Sequence, residues 1–403
     1  MKNILLLTAE YPNPDSSFDT PVIHYFTKEW VEMGYNVKVV HYRSVFPIFY
    51  YWIAIIFNNL IKRLTGTDFI PTKRKKKDTR SIMDGVLVYS FPIFKLIPHG
   101  KYSAVTIRKQ INKILKFNKE DNFVPDIIIG HFYNPQLEII SKLKKHYPKT
   151  KTSIVLHEKP EIIKETYPKD YLTYFKDIDI WGFRFKPLKE NFETIFGHNY
   201  KTFICHSGVP QGYVFSSTTN KKFENKIQKF CYVGMLIPLK RVCDIITALH
   251  QAFPLKDFEL MIVGEGMERK NLEKLIKELD VEENVKLLGR KKRSEVQTII
   301  NEADCFIMVS ESEAFGLVYL EAMSKGCITI GTRGQGIDGV IKNGINGYLC
   351  DSKNNKELAG IIRNLNSIPN EELMKLSQNA IDTAIEMTDR KVAEKYIDIV
   401  LRN

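Results

Sequence analysis

Short apolar runs alternate with amphipathic helical patterns along most of this 403-residue chain. Near-continuous apolar strands separated by helices are typical of parallel sheets that are covered on both faces. The pattern therefore predicts an α/β protein with two Rossmann-like, doubly wound parallel-sheet domains. In the first half we predict strands at 3–8, 36–41, 86–90, 126–131, 152–157 and 201–205, and in the second half at 229–234, 258–264, 284–289, 304–310 and 326–332.

Charge is distributed unevenly between the two halves. The formal net charge is +12, with +11 in residues 1–200 and +1 in residues 201–403. A basic excess of this kind suits an anionic partner. No motif of a nucleic-acid reader is present, so we expect no nucleic-acid partner. The polar stretch 216–226 has the composition of a linker and predicts the boundary between the domains.

One apolar segment fits neither sheet. Residues 45–57 comprise 13 apolar or aromatic residues, one of them proline, and the basic run KRKKK follows at 73–77. The apolar run is too short to cross a bilayer, which takes about 20 residues. Aromatic residues near a polybasic run favour a membrane-interface segment over 45–80 that binds anionic lipid. The alternative is a buried helix followed by a solvated loop.

Cysteine usage and the N-terminus bear on the compartment. The six cysteines form no C-x-x-C pair, which indicates reduced thiols and neither structural zinc nor a disulfide framework. The first residues read as a strand and lack a signal-peptide cleavage site. We therefore expect a cytoplasmic protein that is peripheral at the inner face of the cell membrane.

The stretch 310–349 carries the densest chemistry. Glu313 and Glu321 lie eight positions apart, joined through the turn at Phe315 and Gly316 and a predicted helix over 317–324. Glycine lets a ligand approach the backbone, and a helix N-terminus offers unpaired N–H groups to a diphosphate. Carboxylates in these positions suit hydrogen bonds with sugar or ribose hydroxyls.

The run EAFGLVYLEAMSKG resembles the E-x₇-E signature of the group 1 glycosyltransferases, the retaining GT4 family with the GT-B fold. Segments 230–241, 261–279 and 338–349 resemble further parts of that family's nucleotide domain in the same order. The resemblance covers 229–350 and is thinner in the first half. It implies an acceptor-binding domain over 1–212, a nucleotide-sugar domain over 213–383, a cleft between them, and a C-terminal helix, 384–403, that packs back on the first domain.

The resemblance also assigns roles to individual residues. Lys240 would neutralise the donor diphosphate, Glu313 would contact the donor sugar, and His131 would lie near the reacting carbon as the acceptor-side histidine. These three form the predicted catalytic set. The predicted donor-binding residues are Gly234, which approaches the phosphate, Lys240, Arg241, Arg290, which lies where the base is read, Glu313, Phe315, Gly316, Leu317 and Glu321, which would hold the ribose.

Two positions depart from the family pattern. Met235 stands where the family has arginine, and the neighbouring Arg241 is a candidate to compensate. Asp19 and Thr20 stand where the glycine-rich loop of the first domain would lie. His157 and Glu158, after the next strand, are further candidates to face the acceptor. We interpret the remaining candidate histidines as structural: His24, His41 and His206.

The reaction that the resemblance implies is retaining transfer of a hexose from a nucleotide sugar, UDP- or GDP-linked, to an acceptor hydroxyl. No D-x-D cluster ends a predicted strand, so we expect no metal and no other cofactor. The basic first half and the 45–80 segment point to a lipid-linked glycan acceptor in capsule, O-antigen or exopolysaccharide biosynthesis of a bacterium. The alternatives are a nucleotide-sugar 2-epimerase of the same architecture and a catalytically degenerate nucleotide-sugar-binding scaffold.

Overall fold

A computed structural model describes residues 1–12, 21–53, 55, 77–97, 100–215, 221, 223 and 226–402. The chain forms two compact units. The first unit comprises Met1–Arg184, Leu188–Cys205 and the C-terminal residues from Ala393, and the second comprises Phe185–Pro187 and His206–Val392. Asp19, Thr20, most of the basic run 73–77 and most of the linker 216–226 lie outside the described residues.

The first unit is built on an eight-stranded sheet in the order β3-β4-β2-β1-β5-β6-β7-β8. Every neighbouring pair is parallel except β3 and β4, which are antiparallel. The sequence pattern missed β3, whose residues are mostly exposed, and β7, which has only four residues. The strands are β1 (Asn3–Thr8), β2 (Asn36–Val45), β3 (Thr79–Met83), β4 (Val86–Phe94), β5 (Ile127–His131), β6 (Lys151–Leu156), β7 (Ile180–Phe183) and β8 (Thr202–Ile204).

Helices connect these strands, and their apolar residues face the sheet. In the second helix, Ile107, Ile111 and Ile114 are buried at helical spacing, and the Ser103 side chain caps the helix by accepting a hydrogen bond from the backbone N–H of Thr106. The helices are α1 (Val22–Glu32), α2 (Ala104–Glu120), α3 (Gln136–Lys144), α4 (Glu161–Thr166), α5 (Tyr171–Phe175) and α6 (Lys186–Phe196).

The second unit contains a six-stranded, fully parallel sheet in the order β11-β10-β9-β12-β13-β14. Its strands are β9 (Lys229–Val233), β10 (Glu259–Val263), β11 (Val285–Gly289), β12 (Cys305–Ile307), β13 (Ile328–Thr332) and β14 (Tyr348–Cys350). The helices are α7 (Gln211–Phe215), α8 (Val242–Ala252), α9 (Arg269–Glu278), α10 (Arg293–Glu302), α11 (Leu317–Ser324), α12 (Asn355–Leu365) and α13 (Asn370–Glu386), followed by α14 (Asp389–Arg402). The two parallel-sheet domains confirm the predicted fold class.

The C-terminal helix α14 contributes its last turns, from Ala393 onward, to the first unit. Tyr396 is buried, and its ring lies 5.4 Å from the Phe26 ring and 5.3 Å from the Trp30 ring. The Trp30 indole N–H donates a hydrogen bond to the Ala393 carbonyl at 2.9 Å. Aromatic packing and this buried hydrogen bond therefore hold the helix on the first unit.

The helical residues 48–53 follow β2 in the first unit and expose apolar side chains. Ile48, Phe49 and Trp52 are 53%, 49% and 66% exposed, whereas Phe46 and Tyr51 are buried. This exposure is contrary to the alternative of a buried helix for these described residues. Within the described ranges, no helix is long and apolar enough to cross a bilayer.

We predict that Tyr396→Ala lowers the free energy of unfolding of the full chain by about 3 kcal/mol or more, because it leaves a cavity among buried aromatic rings. Chemical denaturation followed by tryptophan fluorescence measures the change, since Trp30 lies beside the site. The exposed neighbour Lys395 supplies the control variant Lys395→Ala. Equal stability of the two variants would contradict the packing role of α14.

Candidate functional site

Glycines hold two loops of the second unit in close contact at the carboxyl edge of its sheet. Gly234 follows β9, and its N–H donates to the Val263 carbonyl at 3.0 Å. A Cβ atom at Gly264 would lie 1.8 Å from the Gly234 carbonyl oxygen, and one at Gly266 would lie 2.2 Å from that of Leu236. Only glycine permits these backbone approaches. The loops form at the edge where ligands bind in open α/β sheets.

The predicted catalytic residues Lys240 and Glu313 form an ion pair in this region. Lys240 ends a 3₁₀ turn, Pro238–Lys240, and its Nζ lies 2.5 Å from Glu313 Oε2. Their side chains are only 13% and 17% exposed. Because the pair is largely shielded from water, its charges interact strongly with each other and with any ligand beside them. The structure thus joins two residues that are 73 positions apart in the chain.

Glu313 lies in the loop that leads into helix α11. The N–H of Gly336 donates to the Glu313 carbonyl at 2.9 Å, and the N–H of Glu313 donates to Gln335 Oε1 at 3.1 Å. Gly316 adopts a φ of +74° just before the first helical residue, Leu317. The N–H groups in the first turn of a helix have no intrahelical acceptor, so this end of α11 favours an anion.

Arg241 makes contacts that limit its predicted role. It donates to both carboxylate oxygens of Asp244 at 2.8 and 2.9 Å, and a guanidinium nitrogen lies 3.5 Å from Glu311 Oε1. The Asp244 hydrogen bonds raise the pKa of Arg241. Asp244 and Glu311 therefore share the positive charge of Arg241, the candidate to compensate for the arginine that Met235 replaces. The Met235 side chain is 60% exposed.

Glu321 is held by two side chains that the sequence reasoning missed. Its Oε1 accepts from Arg293 at 2.6 Å and its Oε2 accepts from Gln297 at 2.8 Å, while the residue is 6% exposed. Arg293 and Gln297 are four positions apart on α10 and so share one helix face. This four-residue spacing is the only feature of the sequence that could have indicated that Arg293 and Gln297 act together.

The other predicted donor-binding residues occupy distinct positions. Phe315 is 3% exposed, and its ring centroid lies 5.6 Å from that of His206. Arg290 is exposed in the turn between β11 and α10. Within the part of the chain that the structure describes, no group of three or more His, Cys, Asp or Glu side chains is placed to hold a metal ion.

In the first unit, His131, the last residue of β5, contacts His157, the residue after β6. His131 Nδ1 lies 3.0 Å from His157 Nε2, and His131 Nε2 lies 3.5 Å from the Tyr396 hydroxyl. Burial, with a smaller effect of the Arg184 charge, lowers the pKa of His131 to about 3 and that of His157 well below its usual range. His131 is 0% exposed, whereas His157 is partly exposed and stacks on Phe132. Both rings are therefore neutral at physiological pH, and His157 is the accessible one.

Comparison with known proteins identifies the class. Residues 215–383 match the family described as glycosyl transferases group 1. A solved E. coli structure bound with UDP-2-fluoro glucose shares the fold, with a TM-score of 0.71, 11% sequence identity and 99% coverage of both chains. The protein thus has the GT-B fold of two Rossmann-like domains.

Two curated relatives add to this. N-acetyl-alpha-D-glucosaminyl L-malate synthase of Bacillus anthracis is 41% identical over 113 residues, which are 28% of this chain and 29% of that protein. An uncharacterized glycosyltransferase of Methanocaldococcus jannaschii is 26% identical over 345 residues, which are 83% of this chain and 90% of that protein. The first alignment thus spans less than a third of its relative. Residues 215–383 therefore carry a group 1 glycosyltransferase domain.

We predict that Gly264→Ala abolishes nucleotide binding, because the new methyl group cannot coexist with the Gly234 carbonyl in the observed loop. Titration of the purified variant with UDP, GDP and ADP measures the loss. Gly360→Ala is the matched control, since a Cβ there meets open space within α12 and favours the helix. If Gly264→Ala binds nucleotide like the wild type, the loop contact is not needed for the site.

Proposed function

We propose that the protein transfers a hexose from a UDP- or GDP-linked donor to an acceptor hydroxyl with retention of the anomeric configuration. The observation that carries the proposal is the shielded Lys240–Glu313 pair beside the N-terminus of α11, within the segment that matches the family. The similar E. coli structure is bound with a UDP sugar, which supports a nucleotide-sugar donor here.

The chemistry of the transfer explains the proposed arrangement. The bond between the anomeric carbon and the diphosphate oxygen breaks, and negative charge grows on the departing diphosphate. The Lys240 ammonium and the free N–H groups at the start of α11 stabilise that charge. Glu313 accepts hydrogen bonds from donor sugar hydroxyls and holds the Lys240 side chain in place. The acceptor oxygen bonds to the anomeric carbon on the same face, and its proton passes to the departing phosphate.

Glu321 and the histidine pair have supporting roles in this proposal. Glu321, oriented by Arg293 and Gln297, uses its remaining lone pairs for the ribose hydroxyls. Because His157 is neutral and partly exposed, it contacts the substrate as a hydrogen-bonding group rather than as an acid. His131 lies behind it and orients the His157 ring through the 3.0 Å contact.

For the acceptor, we propose a lipid-linked glycan made at the cytoplasmic membrane face, as in the assembly of bacterial surface polysaccharide. The basic excess of the first half and the exposed apolar residues at 48–53 support this proposal. An apolar patch beside basic residues favours the surface of an anionic membrane.

We expect one nucleotide among UDP, GDP and ADP to stabilise the protein by about 2.7 kcal/mol when present at about 100 times its Kd. Thermal denaturation measures the stabilisation.

We further expect Lys240→Met and Glu313→Gln each to lower sugar transfer at least about 100-fold, as does removal of one group that stabilises developing charge. Release of the nucleoside diphosphate measures the transfer. A wild-type protein that binds nucleotide without transferring sugar would favour the scaffold alternative, and sugar isomerisation without acceptor would favour the epimerase.

The exposed ion pair Lys274–Glu278 on α9 provides matched controls. Lys274→Met and Glu278→Gln remove the same charges from the same unit, away from the proposed site, and should leave transfer unchanged. Normal turnover in folded Lys240→Met and Glu313→Gln proteins would overturn the site assignment.

We predict that the combined substitutions Ile48→Ser, Phe49→Ser and Trp52→Ser reduce sedimentation of the protein with anionic vesicles, because they remove exposed apolar surface. Vesicles that contain phosphatidylglycerol are compared with neutral phosphatidylcholine vesicles. Leu255→Ser, at a residue that is 89% exposed in the second unit, is the control. Unchanged binding of the triple variant would defeat the proposed membrane contact.

A further inference from the structure

Two ionisable residues follow strands of the first sheet at its carboxyl edge. Lys95 comes directly after β4, and Glu158 lies two residues beyond the end of β6. Strands β4, β2, β1, β5 and β6 are consecutive and parallel, so both residues lie at the same edge. In open α/β sheets this is the edge at which ligands bind.

Glu158 carries an oxygen that the protein leaves unsatisfied. Its Oε2 is buried, and within the described chain it has no hydrogen-bond partner. Burial is the main cause that raises the pKa of Glu158 to about 7, and the nearby Glu10 charge adds to it, while backbone N–H groups and Lys95 oppose it. A buried carboxylate oxygen without a partner is rare in proteins, and it is costly unless a ligand supplies the missing donor.

Lys95 is the complementary cation, and it is also poorly solvated. It is partly buried, and its Nζ lies 4.8 Å from the centroid of the Tyr102 ring. Burial lowers the pKa of Lys95 to about 8, and the Glu158 charge opposes that shift. Among the described residues, no carboxylate lies within the 4.0 Å that defines an ion pair with Lys95. Lys95 and Glu158 therefore form no ion pair with each other, so a ligand that carries an anionic group and a hydroxyl group can supply a partner for both.

Apolar side chains flank Lys95. Phe94, Leu96 and Ile97 are 50%, 63% and 60% exposed. The backbone N–H of Lys95 donates to the Val45 carbonyl at 2.9 Å, which joins the end of β4 to the end of β2, from which the exposed helical residues 48–53 follow. A cation set within exposed apolar surface matches a molecule that joins an anionic group to a hydrocarbon chain.

We propose that Lys95 and Glu158 bind the acceptor, and that this acceptor is an amphiphile with a phosphate group and a hydroxylated head. Lys95 pairs with the phosphate, Glu158 Oε2 accepts a hydrogen bond from a sugar hydroxyl, and the hydrocarbon chain lies against Phe94, Leu96 and Ile97. The inference rests on the proposed function in one respect, namely that the bound molecule is the acceptor.

Two probes separate the two contacts when they are titrated, below their micellar concentrations, into the purified full-length protein. Dodecyl phosphate supplies the anion and the chain, and dodecyl glucoside supplies hydroxyls and the chain. We expect Lys95→Met to weaken dodecyl phosphate binding at least about 10-fold and to spare dodecyl glucoside. We expect Glu158→Gln to weaken dodecyl glucoside binding by a similar factor without weakening dodecyl phosphate binding.

Inorganic phosphate tests the source of the anion. If it binds as tightly as dodecyl phosphate, the site is one for free phosphate and the amphiphile proposal is wrong. Lys101→Met, at an exposed lysine paired with Asp170, and Glu161→Gln, at an exposed glutamate, are the controls and should bind both probes like the wild type. Equal effects of all four substitutions would also overturn the proposal.

Nucleotide binding tests the donor site independently of the proposed acceptor site. Each variant is first checked for the thermal stabilisation by nucleotide that the wild type shows, which reports an intact fold and donor site. If nucleotide stabilises Lys95→Met and Glu158→Gln normally but probe binding is unchanged, the acceptor site is wrong and the proposed transfer stands. If no nucleotide stabilises the wild type, the transfer proposal fails, and the selective losses of probe binding still decide whether this site exists.

Discussion

Parallel pairing of the strands constrains where chemistry can occur in this protein. A parallel strand cannot be joined to its neighbour by a tight turn, so each is followed by a crossover that begins at the carboxyl edge of the sheet. Gly234, the Glu313 loop and Gly264 lie at that edge in the second unit, and His131, His157 and Glu158 lie at it in the first. Residues far apart in the chain therefore meet wherever two strands are neighbours.

Electrostatics differs between the two units. In the second unit the charged groups are paired: Lys240 with Glu313, Arg241 with Asp244 and Glu311, and Arg293 with Glu321. Such pairs keep the cations in place, and the N-terminus of α11 is an additional positive feature. In the first unit, burial keeps His131 and His157 neutral, and among the described residues the buried Oε2 atom of Glu158 has no hydrogen-bond partner. The proposed donor site thus stabilises developing negative charge. The proposed acceptor site offers a cation and a hydrogen-bond acceptor for which a bound ligand supplies the partners.

Individual residues that were predicted from the family pattern differ in the contacts that they make in the structure. The positions of Lys240 and Glu313 were predicted from the pattern, and they meet. Arg241 is a candidate to compensate for Met235, and the structure shows that its guanidinium contacts Asp244 and Glu311. His131, which the family pattern predicts near the reacting carbon, is the more buried of two histidines in contact. The spacing of residues in the sequence does not show which of two residues at neighbouring strand ends is buried and which is exposed.

The sequence by itself determined the two α/β domains, the helix that begins at Leu317 and the candidate ligand residues between 229 and 350. The domains and the helix follow from local periodicity and glycine positions, which do not depend on distant contacts, whereas the candidate ligand residues follow from the resemblance to the family. Only the tertiary structure decided which side chains hold Glu321, that Tyr396 is the residue of α14 that packs among the aromatic rings of the first unit, and that Lys95 and Glu158 lie at the same edge of the first sheet. The physical reason is that burial and pairing depend on strand order and on side-chain packing between segments as many as 363 residues apart, and neither leaves a periodic trace in the sequence.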